Sequence, residues 1–417
     1  MVKPFANIHG RENVRLNRIN LMASVLRIPV LVCTVTLSWN GLSDRFTNVT
    51  YTVLGLSAFC LFLSTNGSLK LQGVFPLIAA IILSTCYSIF NSERKSLHIS
   101  NLESSFLSPF ISASNFDSSY IPLDDIIPAF KWIAALLSIP YLVQVFKLID
   151  LKFLQRLKIA WIAGVLVNIV IQLFQTFSVM NIAISTLQIN DLTRFRFSGL
   201  ATHPNALAIS VCLSLPIIYE ELRKVNFTLF LATNLLFFTS VFLTQSRAGL
   251  IVYAFGFLMC FLRNENSGGF RISRLLLIII ILSTLVLSGF FFYLLNNSRF
   301  QTGDTSALIS NQARWGLMKF GYEAFRISPM LGLGPTLFKV SHNIYLQVLS
   351  SLGFIGFVFF IVLCFRMIQR NWKSNYFTSV TILIFLLFGF FNNSLTDFYL
   401  YFPLGFGFLI SSHNLDY

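Results

Sequence analysis

Long apolar runs, broken by short polar or basic connections, restrict this chain more than any other feature. A run of about 18 apolar residues or more crosses a bilayer as a helix, because lipid offers the backbone no hydrogen-bond partners. The runs lie near 21–38, 47–63, 72–90, 123–143, 158–178, 205–220, 226–244, 248–262, 276–295, 344–365, 376–391 and 399–411, and several are shorter than the ideal span. Charged residues form only 11 % of the chain, against roughly 25 % in a soluble domain. Too little charge is present to cover such a fold in water. The expectation is an all-α polytopic membrane protein with about twelve transmembrane helices.

The net charge of +14 would suggest nucleic acid in a soluble protein. In a membrane protein, Lys and Arg gather in cytoplasmic loops instead, and no nucleic-acid partner is expected. Lys3, Arg11, Arg15 and Arg18, the stretch 147–158, Arg223–Lys224, Arg263–Arg274 and Arg366–Lys373 all fall on one side if the spans alternate. With that side in the cytoplasm, both termini are cytoplasmic and residues 296–343 form a large loop on the outer, periplasmic side. No small-residue cleavage site follows the first apolar run, so that run is expected to remain as an anchor. The six cysteines lie in or at the ends of spans without CxxC spacing, which suits packing better than metal or disulfide chemistry. Residues 1–417 read as a single membrane domain. It has no internal repeat of the kind that builds many transporters.

The 296–343 loop holds Arg299, Arg314, Lys319, Arg326 and Lys339 against the general charge bias. From Ser310 to Ile327 its pattern predicts an amphipathic helix, with Ala313, Leu317, Phe320 and Ala324 along one stripe. Pro329 and the Gly332–Pro335 turn end it. Trp315 and Tyr322 suit the headgroup level, so the helix is expected to lie on the membrane surface.

Three side chains stand out chemically. Arg247, in LTQSRAGL, sits in a tight turn between two spans on the outer side, where an anchoring arginine does not belong. Arg314 stands near the start of the loop helix. Two planar guanidiniums can grip a diphosphate through paired hydrogen bonds, which lysine does less well. His342 opens a span beside Asn343, where an imidazole can accept a proton near neutral pH. In RFSGLATHPNAL, Arg196 is a candidate further phosphate contact and His203 a supporting imidazole, while Asn205 is expected to cap the next helix. Asp124 and Asp125 read as boundary residues at the head of the fourth span. No DxD-like pair, P-loop or GxSxG is present, so metal-held diphosphates, nucleotide-driven transport and serine hydrolysis lack their usual parts.

From about Arg196 to Gly356 the chain resembles the bacterial O-antigen ligase/polymerase superfamily. The resemblance rests on RFSGLATHPNALA, TQSRAGL, ARWGLMKFGYEAFRISPMLGLGP and SHNIYLQVLSSLGFIG, in that order. It implies a GT-C-like membrane fold with a helical periplasmic loop between the ninth and tenth spans, placed in the inner membrane. It further implies a metal-independent, inverting glycosyltransferase without a cofactor, using undecaprenyl-pyrophosphate-linked oligosaccharide. Carried over by position, Arg247 and Arg314 bind the pyrophosphate and His342 serves the acceptor hydroxyl; Arg196 as a further phosphate contact, and Asn343, His203 and Asn205 as supporting candidates, rest on the local sequence alone. The compact loop favours an O-antigen polymerase, with a chain-length regulator as partner, over a ligase joining glycan to lipid A–core. The alternative of a different class is a polysaccharide flippase, which should carry its charges at mid-membrane.

Overall fold

The computed structural model describes residues 6–65, 69–92, 123–176, 197–222, 227–262, 305–335, 337, 342–392, 395, 397–408 and 410–412. In chain order the elements are α1 (Ala6–Thr36), α2 (Asp44–Ser64), β1 (Leu69–Leu71), α3 (Phe75–Phe90), α4 (Leu123–Ile149) and α5 (Leu151–Thr176). They continue with α6 (Pro204–Glu221), α7 (Phe227–Leu243), α8 (Arg247–Leu262), α9 (Thr305–Ile327), α10 (Ile344–Ser374), α11 (Tyr376–Gly389), α12 (Phe398–Gly405) and β2 (Ile410–Ser412). Five of the described helices are long and apolar enough to cross a membrane: Asn17–Thr36, Arg45–Ser64, Asp125–Ile149, Leu151–Thr176 and Ile344–Ser374. Shorter apolar helices fill Phe75–Phe90, Thr228–Leu243, Arg247–Cys260 and Tyr376–Gly389. The run expected at 276–295 lies outside the described residues.

α6 is the centre of the bundle. Every residue from Ala206 to Tyr219 is buried, as a helix apolar all round requires. It packs against α5, α7, α8, α11 and α12. Small residues allow close crossings. A Cβ on Gly249 would lie 2.8 Å from Ala208 Cβ, between α8 and α6, and one on Gly256 would lie 2.6 Å from Ile384 Cδ1, between α8 and α11. Such small-residue contacts hold helices together where lipid removes the hydrophobic driving force. The outward face of α1 exposes Leu21, Val25, Ile28 and Val32, a 3.6-residue repeat that faces the lipid.

Two expectations change. The span read at 399–411 is an eight-residue helix, α12, only about 12 Å long. The chain turns at 406–407, where the Gly407 N–H bonds to the Leu404 carbonyl at 2.9 Å. It then enters β2, which pairs antiparallel with β1, Leu69 opposite Ser412 and Leu71 opposite Ile410. The second change concerns Asp125. It does stand at the head of its span, in the first turn of α4, but it is completely buried there, and its carboxylate accepts the Ser88 hydroxyl of α3.

Candidate active site

Between α7 and α8 the chain reverses in three residues. The Thr244 N–H bonds to Ser240 O at 3.1 Å and the Gln245 N–H to Phe242 O at 2.9 Å. Gln245 then adopts a left-handed backbone at φ 51°, an uncommon conformation for a residue other than glycine. Ser246 caps α8, its hydroxyl accepting the Gly249 N–H at 3.1 Å. Arg247 therefore occupies the first turn of α8 with its side chain exposed. A cation there works against the helix dipole, which favours an anion at that end.

α9 is the amphipathic helix expected from the loop, beginning five residues earlier at Thr305. Phe320 and Ala324 are buried, while Trp315 and Tyr322 are exposed. Arg314 is exposed overall, yet enough protein crowds its guanidinium to desolvate it. That desolvation first, and the charge of Arg247 second, lower its pKa. An arginine stays charged regardless, so the coupling marks two like charges held near each other. Among the described residues no carboxylate pairs with Arg314.

His342 joins the same group. Its imidazole is pushed below the ordinary value by burial first and by Arg314 second. It is therefore neutral near pH 7 and able to accept a proton. Asn343, directly after it, caps α10, its Oδ1 accepting the N–H groups of Tyr345 at 2.9 Å and Leu346 at 3.1 Å. The Asn343 Nδ2 donates to Phe390 O at 3.2 Å, which ties the cap to the end of α11. Arg247, Arg314 and His342 thus come from three separate elements and meet electrostatically.

What fixes α9 is an interlock of backbone. α10 breaks at Gly353, whose φ of 66° and ψ of −169° are not helical. Residues 329–334 lie along the gap. The Phe354 N–H bonds to Pro329 O at 2.7 Å, the Leu333 N–H to Ser350 O at 2.8 Å and the Gly334 N–H to Ser351 O at 3.1 Å. Gly332 must be glycine, since its φ is +72° and a Cβ would meet the Ser351 carbonyl at 2.3 Å. Irregular backbone survives at membrane depth only when protein satisfies it, and here the loop does so. α3 supports the same place: Ser84 Oγ donates to Ser351 O at 2.5 Å, and Ser88 Oγ lies 3.1 Å from Leu333 O.

The 197–203 segment is held by a polar face of α5. Leu200 N–H donates to Asn168 Oδ1 at 2.6 Å, and Gln175 exchanges two bonds with Gly199, at 3.0 and 3.1 Å. Gln172 Nε2 donates to Phe197 O and to Ser240 O, both at 3.1 Å, so this segment and the end of α7 share one support. The capping side chain of α6 is His203 rather than Asn205. Its Nδ1 accepts the Asn205 N–H at 3.1 Å, with Pro204 and Asn205 already inside the first turn. Proline suits that position because its missing N–H would be unpaired anyway. Arg196 lies outside the described residues.

Gln347 is a residue the sequence did not single out. It is completely buried, one turn below Asn343 on α10. Neither its Oε1 nor its Nε2 has a hydrogen-bond partner among the described residues. A glutamine amid apolar neighbours, four residues after a cap, was the available signal. Among the described residues no three His, Cys, Asp or Glu side chains gather as a metal site.

The fold and this cluster define a polytopic helical membrane protein that concentrates guanidinium groups beside an imidazole at one end of its bundle. Residues 232–361 match the family model described as O-antigen ligase, a stretch that contains Arg247, Arg314 and His342. That stretch, about a third of the chain, is therefore similar to the O-antigen ligase/polymerase superfamily. No curated protein matches the chain.

Proposed function

We propose that the protein is an O-antigen polymerase, which transfers glycan from an undecaprenyl-pyrophosphate donor to the acceptor sugar of another lipid-linked repeat unit. One observation supports it most: beyond the effect of burial, Arg247 lowers the pKa of Arg314, and Arg314 that of His342, so two cations and a neutral imidazole share one locality. A diphosphate entering there relieves the repulsion between two cations, and the N-terminus of α8 adds to its attraction.

The chemistry is a displacement at the anomeric carbon. The acceptor hydroxyl attacks from the face opposite the diphosphate, the new glycosidic bond forms and the anomeric bond to pyrophosphate breaks. Its electron pair leaves with the pyrophosphate, whose growing charge Arg247 and Arg314 stabilise, with Arg196 as a further contact. Such groups are worth roughly 3 kcal/mol each in well-studied sites. His342 takes the hydroxyl proton, and inversion follows from the direction of attack. The guanidiniums supply the positive charge, so the proposed transfer is metal-independent and needs no cofactor. The setting proposed is the bacterial inner membrane, with about twelve spans in a GT-C-like arrangement. Both termini are cytoplasmic, the site faces the periplasm, and a chain-length regulator is a partner.

The family description itself favours a second reading, an O-antigen ligase acting with the same residues. The test is lipopolysaccharide banding in a deletion strain carrying Arg247→Ala, Arg314→Ala or His342→Ala, with membrane insertion checked by immunoblot. Core bearing a single repeat unit identifies a polymerase. Bare core with accumulated lipid-linked polymer identifies a ligase. A full ladder from all three inserted variants removes both.

A further inference from the structure

At the end of α10 far from His342, Arg366 and Arg370 stand one helical turn apart on an exposed face. They line a cavity of about 140 Å³ together with Gln72, Gly73, Leu363, Met367 and Gly407. A single water needs roughly 10–15 Å³, so the space admits a far larger group. The Arg370 Nη1 donates to Gln72 Oε1 at 2.5 Å, which orients that guanidinium and uses one of its five N–H donors. The wall opposite is fixed as well, since Asn371 Nδ2 holds the Gly407 carbonyl at 3.0 Å. Gln72 and Gly73 lead directly into α3, whose N-terminus adds the positive end of a helix dipole.

We propose that this cavity binds one anionic phospholipid, its phosphate gripped by Arg366 and Arg370. The apolar part of the same helix selects lipid over a free anion. Phe354, Val358, Val362 and Phe365 are all exposed, and their spacing puts them on one stripe of α10 that ends beside Arg366. From Phe354 to Phe365 the stripe rises about 16 Å, which is one leaflet of a hydrocarbon core roughly 30 Å thick. An acyl chain laid along it brings its phosphate to the two guanidiniums. Exposed Trp372, in the next turn, has the amphipathic ring that settles at headgroup level. Cationic pockets between helices suit such headgroups. The site is separate from the cluster around His342 and does not depend on the proposed reaction.

The experiment is native mass spectrometry of the delipidated full-length protein in detergent, titrated with phosphatidylglycerol, phosphatidylcholine or inorganic phosphate. One phosphatidylglycerol is expected to bind in preference to phosphatidylcholine, and millimolar phosphate is expected not to displace it. R366Q/R370Q should weaken that binding roughly 30-fold, and R366Q alone about fivefold. R366K/R370K should fall between wild type and R366Q/R370Q, because lysine keeps the charge and loses the fork. Both arginines are exposed, so R366Q supplies the readout even if the double variant folds poorly. Equal binding of the two lipids, displacement by phosphate alone, or unchanged binding by R366Q would each overturn the assignment.

Discussion

Gly353 and Met330 pass backbone to backbone: a Cβ on Gly353 would stand 2.3 Å from the Met330 carbonyl, with φ at +66°. Gly353→Ala therefore forces the interlock apart. A loss of roughly 2 kcal/mol or more is expected, read as a lower unfolding midpoint in detergent. Gly55→Ala is the control, since a Cβ at Gly55 in α2 meets nothing within 4 Å. That change should leave the midpoint equal or raised, by about 0.5–1 kcal/mol at most. Equal effects from both would mean that the close approach carries no energy.

The imidazole of His342 gives a pH dependence with a definite sign. Burial and then Arg314 hold its pKa below the ordinary 6.5. As the proposed base, it should lose activity as pH falls through that lowered value. The stability linked to the neutral imidazole is present above 6.5 and lost over the same descent, because the unfolded chain takes up the proton first. Removing the charge in Arg314→Gln removes one cause of the shift, so the His342 pKa should rise towards its ordinary value. An NMR titration of the imidazole checks this in both proteins. No upward movement would place Arg314 too far away to matter.

His203 is expected to behave as a cap. His203→Ala leaves an N–H of α6 without its acceptor and should cost about 0.5–2 kcal/mol. His203→Asn should recover most of that stability together with polymer formation, since asparagine caps well and cannot act as an imidazole base. Restored stability without restored polymer would instead give His203 a chemical role.

Gln347→Met tests the buried amide. Two polar atoms without partners among the described residues each carry a desolvation cost, about 1–3 kcal/mol for a buried group, and methionine fills similar space without them. The unfolding midpoint is expected to rise. A fall would show that the amide meets a water or a sugar hydroxyl in the working protein.

Local periodicity explains which parts of this architecture were readable beforehand. The stripe through Phe320 and Ala324 foretold α9, and the short interval around Arg247 foretold a tight turn. Both depend on residues a few positions apart. The break in α10 was hidden because Gly353 reads as an ordinary small residue until Met330, more than twenty positions earlier, is brought against it. Burial of Asp125 likewise needs Ser88 from another helix, and the β1–β2 pair joins opposite ends of the chain. Asparagine is a commoner cap than histidine, so the pattern points to Asn205, and only the extended backbone of His203, with φ −149°, reveals which residue precedes the first turn.

The interlock at Gly353 anchors the C-terminal end of α9, which also packs along α10. That end is clamped where residues 329–334 lie in the gap of α10, and Arg314 rides roughly 20 Å away along a stiff rod. If Arg314 holds the proposed diphosphate, its aim depends on a joint that never touches that ligand.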